Sequence, residues 1–86
     1  MNQDIYLNFS EILNATDCEA EWVLSLIEES VIIVDGEPQN ATYSGAQLTL
    51  LRRAQRIRRD FDASAPATAL ILELLDELEA LRRKNQ

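Results

Sequence analysis

The sequence predicts a mainly α-helical fold: a helix-turn-helix, a small two-stranded wing and a long C-terminal helix. Three observations predict it. Apolar residues recur at helical spacing through most of the chain, and capping side chains stand where each apolar run begins. One β-branched run, followed by a glycine-containing turn, interrupts the helical pattern. The chain has 86 residues, 47% of them hydrophobic, enough for one globular core and not two. A single domain over 1–86 is therefore expected, with the helix-turn-helix and wing in 5–43 and a helix pair in 44–86.

The elements follow in order. "NFSEIL" reads as a helix start in which Asn8 caps, Glu11 reaches back from three residues later, and Leu7 and Ile12 stand where a hydrophobic staple packs. This first helix is short, ending near Ala15. "TDCE" is a tight turn carrying further capping side chains in Thr16, Asp17 and Glu19. The second helix runs from about Glu19 to Glu29, with Trp22, Val23, Leu26 and Ile27 on one apolar face and Glu21, Ser25 and Glu28 on the other. Trp22 reads as a core anchor rather than a stacking platform for a ligand. Two short helices joined by a tight turn make a helix-turn-helix.

"VIIV", then "DGEP", then "QNATY" reads as a hairpin wing. Ser44 caps the third helix with Gln47 in the box position, and Leu50, Ala54, Ile57 and Phe61 form its apolar stripe with Leu51 alongside. Pro66 is expected to end that helix, because the residue before a proline is pushed from helical geometry. Ser64 then caps the last helix, which places Pro66 in its first turn. In that helix Ile71, Leu74, Leu78 and Leu81 alternate at spacings of three and four, a coiled-coil pattern, with Asn85 on the next seam position. Those four residues are the expected interface of a homodimer. A chain of this length buries only about 60% of its unfolded surface, so a second copy would add stability. The element order is the plan of a MerR-like winged helix-turn-helix.

Such scaffolds read DNA with the second helix, while the wing and nearby loops hold phosphates. The charge pattern argues against that use here. Residues 1–51 hold nine acids and no base, whereas 52–86 hold eight bases and six acids. The helix-turn-helix and wing carry Asp17, Glu19, Glu21, Glu28, Glu29, Asp35 and Glu37, and DNA affinity rests on cations that neutralise phosphates. Arginines at 52, 53, 56, 58 and 59 lie on the third helix. There Arg52, Arg56 and Arg59 form a stripe opposite the apolar face, Arg53 lies beside it, and Arg58 falls near the apolar edge. Arg56 and Arg58 precede Asp60 and Asp62 by four residues, which offers intrahelical pairs. Direct DNA binding is not expected; an acidic face suits a basic protein partner, because complementary potential speeds and selects encounters.

Other functional classes lack their ingredients. The chain has no histidine, one cysteine (Cys18) and two glycines, so the usual zinc, Cys-His and phosphate-loop chemistries are missing. Carboxylate clusters at Glu28–Glu29, Asp60/Asp62 and Asp76–Glu77–Glu79 read as solvated helix faces. No enzyme activity, catalytic residue, metal or cofactor is expected. A basic, apolar leader and a transmembrane-length apolar run are both missing, which points to a cytoplasmic setting with no membrane partner.

"NFSE", "TDCEAEWVLSLIEESVI", "RAQRIR" at Arg53–Arg58, Ser64-Ala65-Pro66 and "LDELEALRRKN" together resemble the CbpM family of bacterial chaperone modulators over about residues 5–85. That resemblance implies a non-enzymatic protein that binds the J-domain of a CbpA-like, DnaJ-type co-chaperone. It also implies that this blocks co-chaperone work with DnaK and the co-chaperone's own DNA binding. A J-domain presents a basic helix, which fits the acidic face. The contact residues expected are Asp17, Glu19, Glu21, Glu28 and Glu29, with Arg53 and Arg56 as further candidates. Two departures from the family pattern stand out. Asp17 and Cys18 occupy a turn where a glycine and an aliphatic residue are expected, and the family's last helix is expected to continue past residue 86. The alternative reading is a MerR-like transcriptional regulator that grips DNA through arginines of the third helix.

Overall fold

A computed structural model of the chain describes residues 5–85. Its elements, in order, are β1 (Tyr6–Leu7), α1 (Phe9–Thr16), α2 (Ala20–Glu28), a 3-10 turn at Pro38–Asn40, β2 (Tyr43–Ser44), α3 (Gly45–Phe61) and α4 (Ala65–Lys84). Helix starts follow the capping logic closely. Asn8 accepts from the Glu11 N–H at 2.8 Å while Glu11 Oε1 accepts from the Asn8 N–H at 2.9 Å. Ser44 and Gln47 form the same reciprocal box on α3, and Ser64 accepts from the Ala67 N–H at 3.3 Å on α4. Each cap satisfies amides that an isolated helix leaves orphaned, at roughly 1 kcal/mol apiece.

The turn between α1 and α2 is built differently from the expectation. Asp17 adopts φ 55°, ψ 39°, a left-handed closure of α1, and the Cys18 N–H returns to Leu13 O at 3.1 Å. This is the αL helix stop at which glycine is cheapest, so Asp17 holds the position where a glycine was expected. Cys18 fills the aliphatic's place, buried at 8% exposure. Thr16 does not cap α2; its hydroxyl donates back to Ile12 O at 2.7 Å, and Glu19 sits at the N-cap of α2 without a side-chain bond.

The fold class stands, with one internal rearrangement. The two-stranded antiparallel sheet pairs Tyr6 with Ser44 and Leu7 with Tyr43, so its strands come from before α1 and before α3. Val31–Val34 forms no strand. Its backbone groups are committed elsewhere: the Val31 and Ile32 N–H groups reach Leu26 O at 2.9 and 3.4 Å, and Gln47 Nε2 donates to Ile33 O at 2.7 Å. Ile32 is driven into the core at 1% exposure while Ile33 faces solvent at 74%. The loop is a folded strap pinned to α3 rather than a hairpin.

The core joins Ile12, Cys18, Trp22, Val23, Leu26, Ile32, Tyr43, Leu51, Ala54, Ile57, Ala65 and Leu72. Tyr43 is fully enclosed, tilted against Phe9 with ring centroids 6.1 Å apart, and its hydroxyl donates to Pro38 O at 2.8 Å. On α3 the buried stripe is Leu51, Ala54 and Ile57; Leu50 is half-buried and Phe61 is exposed at 68%. Phe61 leaves the expected stripe because α3 stops immediately after it. Asp62 enters the left-handed region (φ 52°, ψ 44°) and closes the helix, four residues before Pro66. Proline therefore does not end α3; it occupies the first turn of α4, where its missing N–H costs nothing.

Candidate partner-binding surface

The expected contact acids are all exposed: Asp17, Glu19, Glu21, Glu28 and Glu29. They do not form one patch. Asp17 and Glu19, at the turn before α2, border a polar cleft whose other walls are Gln55, Arg58, Arg59 and Asp62. Three carboxylates there face two guanidinium groups, so the local field is largely cancelled. Glu21 and Glu28 lie two helical turns apart on the outer face of α2. Glu29 belongs to a different depression, lined also by Ser30, Val31, Leu50, Ala69, Leu72, Glu73 and Asp76. That groove contains three carboxylates and no base.

Arg58 accounts for the cancellation at the turn end. Its guanidinium carbon lies 4.4 Å from the centroid of Trp22, and one guanidinium nitrogen is 3.7 Å from Glu19 Oε1. The ion pair is long and Glu19's side chain is 77% exposed, so it contributes little. The cation–π contact against a buried indole is the stronger term, about 0.5–2 kcal/mol. Trp22 is a core anchor, as its position in the apolar face implied. Its Nε1–H has no hydrogen-bond acceptor among the described residues, which leaves packing and the arginine to hold it. Arg58 near the apolar edge of α3 was visible on a helical wheel; its partner was not, because it depends on where α3 meets α2. The offset pairs Arg56–Asp60 and Arg58–Asp62 do not form. Arg58 turns to Glu19 across the chain, and Arg59 approaches its neighbour Asp60 at 3.7 Å.

The remaining arginines form a second electrostatic zone. Arg52, Arg56 and Arg59 are exposed on α3, as the expected stripe requires, and they line a cleft with Gln55 and with Thr16 at the end of α1. Arg53 is half-buried and Arg56 exposed. This arginine cleft adjoins the mixed cleft at the turn before α2, sharing Gln55 and Arg59 with it, and Arg58 is already engaged with Trp22.

Two features make the α2 end unusual. Glu28 and Glu29 stand at the C-terminal end of α2, whose last turn carries no basic residue. Acids at a helix C-terminus oppose its dipole, each by roughly 0.3–1 kcal/mol. No cation on the lining of the adjacent groove compensates them. Burial pushes the Cys18 thiol up, despite its contact with Thr16 O and the nearby Arg58, and burial likewise raises the Tyr43 phenol. Both stay protonated at neutral pH. Among the described residues no group of three or more His, Cys, Asp or Glu side chains is arranged to hold a metal, and no helix is long and apolar enough to cross a membrane.

On α4 the expected interface residues separate. Ile71 is half-buried against the core, whereas Leu74, Leu78 and Leu81 are exposed at 54, 45 and 56%, joined by Leu70 at 55%. These four leucines share the side of α4 turned away from Leu72, by about half a turn of helix.

Helix-turn-helix, αL turn, capped α3 and long α4 together define a MerR-type regulatory scaffold, and residues 7–86 match the family described as MerR HTH family regulatory protein. The chain belongs to that family. Within it, the chain is similar to the chaperone modulatory protein CbpM of Pseudomonas entomophila, 26% identical over 82 residues that cover 94% of this chain and 81% of that protein. Relatives of the same name from two strains of Pseudomonas putida match over the same length at 26% and 24% identity. These matches agree with the resemblance read from the quoted segments.

Proposed function

We propose that this protein is a chaperone modulator: a MerR-type scaffold that binds the J-domain of a CbpA-like co-chaperone and suppresses its work with DnaK and its DNA binding. The observation that carries this reading is the uncompensated acidity of the outer face of α2 and its C-terminal end, where a DNA reader of the same plan would need cations. Glu21, Glu28 and Glu29 face solvent, and Arg58, which packs over α2, is spent on Trp22 and Glu19. A basic helix of the partner meets that face with favourable potential, while a phosphate backbone is repelled. Inhibition then follows by occlusion, since a J-domain covered on its basic helix cannot present it to DnaK. The exposed row Leu74, Leu78 and Leu81 supports a homodimer through α4, with Ile71 at the inner edge of that interface.

The test is a refolding assay with the co-chaperone, DnaK and the purified protein. Stoichiometric addition is expected to suppress co-chaperone-dependent refolding, and Glu21→Lys with Glu28→Lys is expected to relieve the suppression. Undiminished refolding at saturating protein would refute the reading.

A further inference from the structure

The groove between the end of α2 and the first turns of α4 combines features that the acidic residues alone do not have. Its floor is apolar, formed by Val31, Leu50 and Leu72, and its rim carries Glu29 from the C-cap of α2 and Glu73 and Asp76 from α4. Three separate stretches of the chain converge there, with no lysine or arginine in the lining. Its free volume, about 250 Å³, is below the ~300–1,000 Å³ of small-molecule sites, and it is open along one side. A slot of this size and polarity fits one long basic side chain, whose methylene stem covers apolar surface while its charged head stays among carboxylates. The cleft at the other end of α2 lacks this chemistry, because Arg58 and Arg59 already stand among Asp17, Glu19 and Asp62.

We infer that the α2–α4 groove is the anchor point for a basic amphipathic helix of the protein partner, a lysine or arginine of that helix lying over Leu50 and Leu72 with its cation between Glu29, Glu73 and Asp76. The inference rests on the reading that the partner is a basic protein domain, and it moves the centre of that contact away from the turn before α2. It also gives Asp76 a partner-binding role in place of a merely solvated helix face, and adds Glu73 beside it. Charge complementarity selects this occupant: two of the three carboxylates come from an element outside the helix-turn-helix, so the acidic potential is focused at the groove instead of spread along α2.

The experiment compares two double substitutions on one helix with the same change in charge. Glu73→Lys with Asp76→Lys alters the groove; Glu77→Lys with Glu79→Lys alters α4 outside its lining. Both pairs are solvent-exposed, and circular dichroism checks that each variant keeps its helix content. Binding to the isolated J-domain of the co-chaperone is measured by calorimetry, and amide shifts of the ¹⁵N-labelled full chain are followed through the same titration. The groove pair is expected to weaken binding at least tenfold and the outer pair less than threefold, with the largest shifts at Glu29, Ser30, Val31, Glu73 and Asp76. Equal losses from both pairs, or shifts centred on Asp17, Glu19 and Arg58, overturn the groove while leaving a basic-protein partner in place. Absence of any binding by the unaltered chain overturns both.

Discussion

Along α4, the first two turns and the last three differ in where their apolar side chains go. Ala65, Thr68 and Leu72 are buried against the rest of the chain, while Leu74, Leu78 and Leu81 remain about half exposed. The residue types are similar and the helix is continuous. What differs is the company: α2 and α3 cover α4 near its start, and past Asp76 every side chain of the helix is exposed. The side that continues the core there carries Glu79, Arg82 and Arg83, and the apolar residues shift to the opposite side. One helix therefore has two apolar faces, one for its own chain and one available to something else. A coiled-coil spacing read from sequence cannot separate these roles, because Ile71 belongs to the pattern and yet packs inward.

The sharpest way to break this comparison is a matched pair of truncations. Leu72→Ala removes a buried side chain and is expected to cost about 2–4 kcal/mol in urea unfolding. Leu78→Ala is expected to cost under about 0.5 kcal/mol at dilution, as surface changes usually do, while lowering the apparent mass at high concentration in sedimentation. A Leu78→Ala loss as large as that of Leu72→Ala at every concentration would contradict the two-face description.

A second pair separates the arginines. Arg58→Ala is expected to lose about 1–2 kcal/mol through the Trp22 contact and to shift tryptophan emission. Arg52→Ala, on the outer stripe, is expected to stay within about 0.5 kcal/mol with emission unchanged. Smaller still is the turn before α2. Replacing Asp17 by glycine at φ 55° relieves a left-handed conformation that side chains disfavour, so the melting temperature is expected to rise by an amount equivalent to about 0.5–1 kcal/mol.

The pH dependence carried by Cys18 and Tyr43 is the smallest effect, since both stay protonated at neutrality. Cys18 and Tyr43 both have folded pKa values raised by burial above ordinary values of 9.0 and 10.0. A raised pKa contributes stability that is full below the ordinary value and is lost as pH rises through the folded one. Stability is thus expected to be level through these groups up to about pH 9 and to decline above it. The Cys18→Ala variant is expected to begin its alkaline decline later than the unaltered chain, read by denaturant titrations across pH 7–11.

Much of this architecture was legible because it is written locally. Asn8/Glu11, Ser44/Gln47 and Ser64 mark helix starts through bonds spanning three residues, and the α3 stripe follows from spacing alone. What was not legible depends on tertiary meetings. The β-branched run Val31–Val34 reads as a strand by composition, yet Leu26 O and Gln47 take its backbone groups. Phe61 fits the stripe by number but lies at a helix end created by a left-handed Asp62. The candidate surface divides in the same way. Its acidity was visible as a count, but the neutralisation of the turn end by Arg58 and Arg59 was not. Nor was the convergence of Glu29 with Glu73 and Asp76, which lie more than forty residues apart.

The most direct test of a DNA-type scaffold turned to a protein partner is a side-by-side titration at low salt, using the labelled J-domain of the co-chaperone and a labelled DNA duplex, read by fluorescence anisotropy. The result expected is saturable J-domain binding that weakens as salt is raised, with no change for the duplex at the same protein concentrations. Duplex binding that falls steeply with salt, together with a silent J-domain, would contradict the proposal and favour the transcriptional regulator.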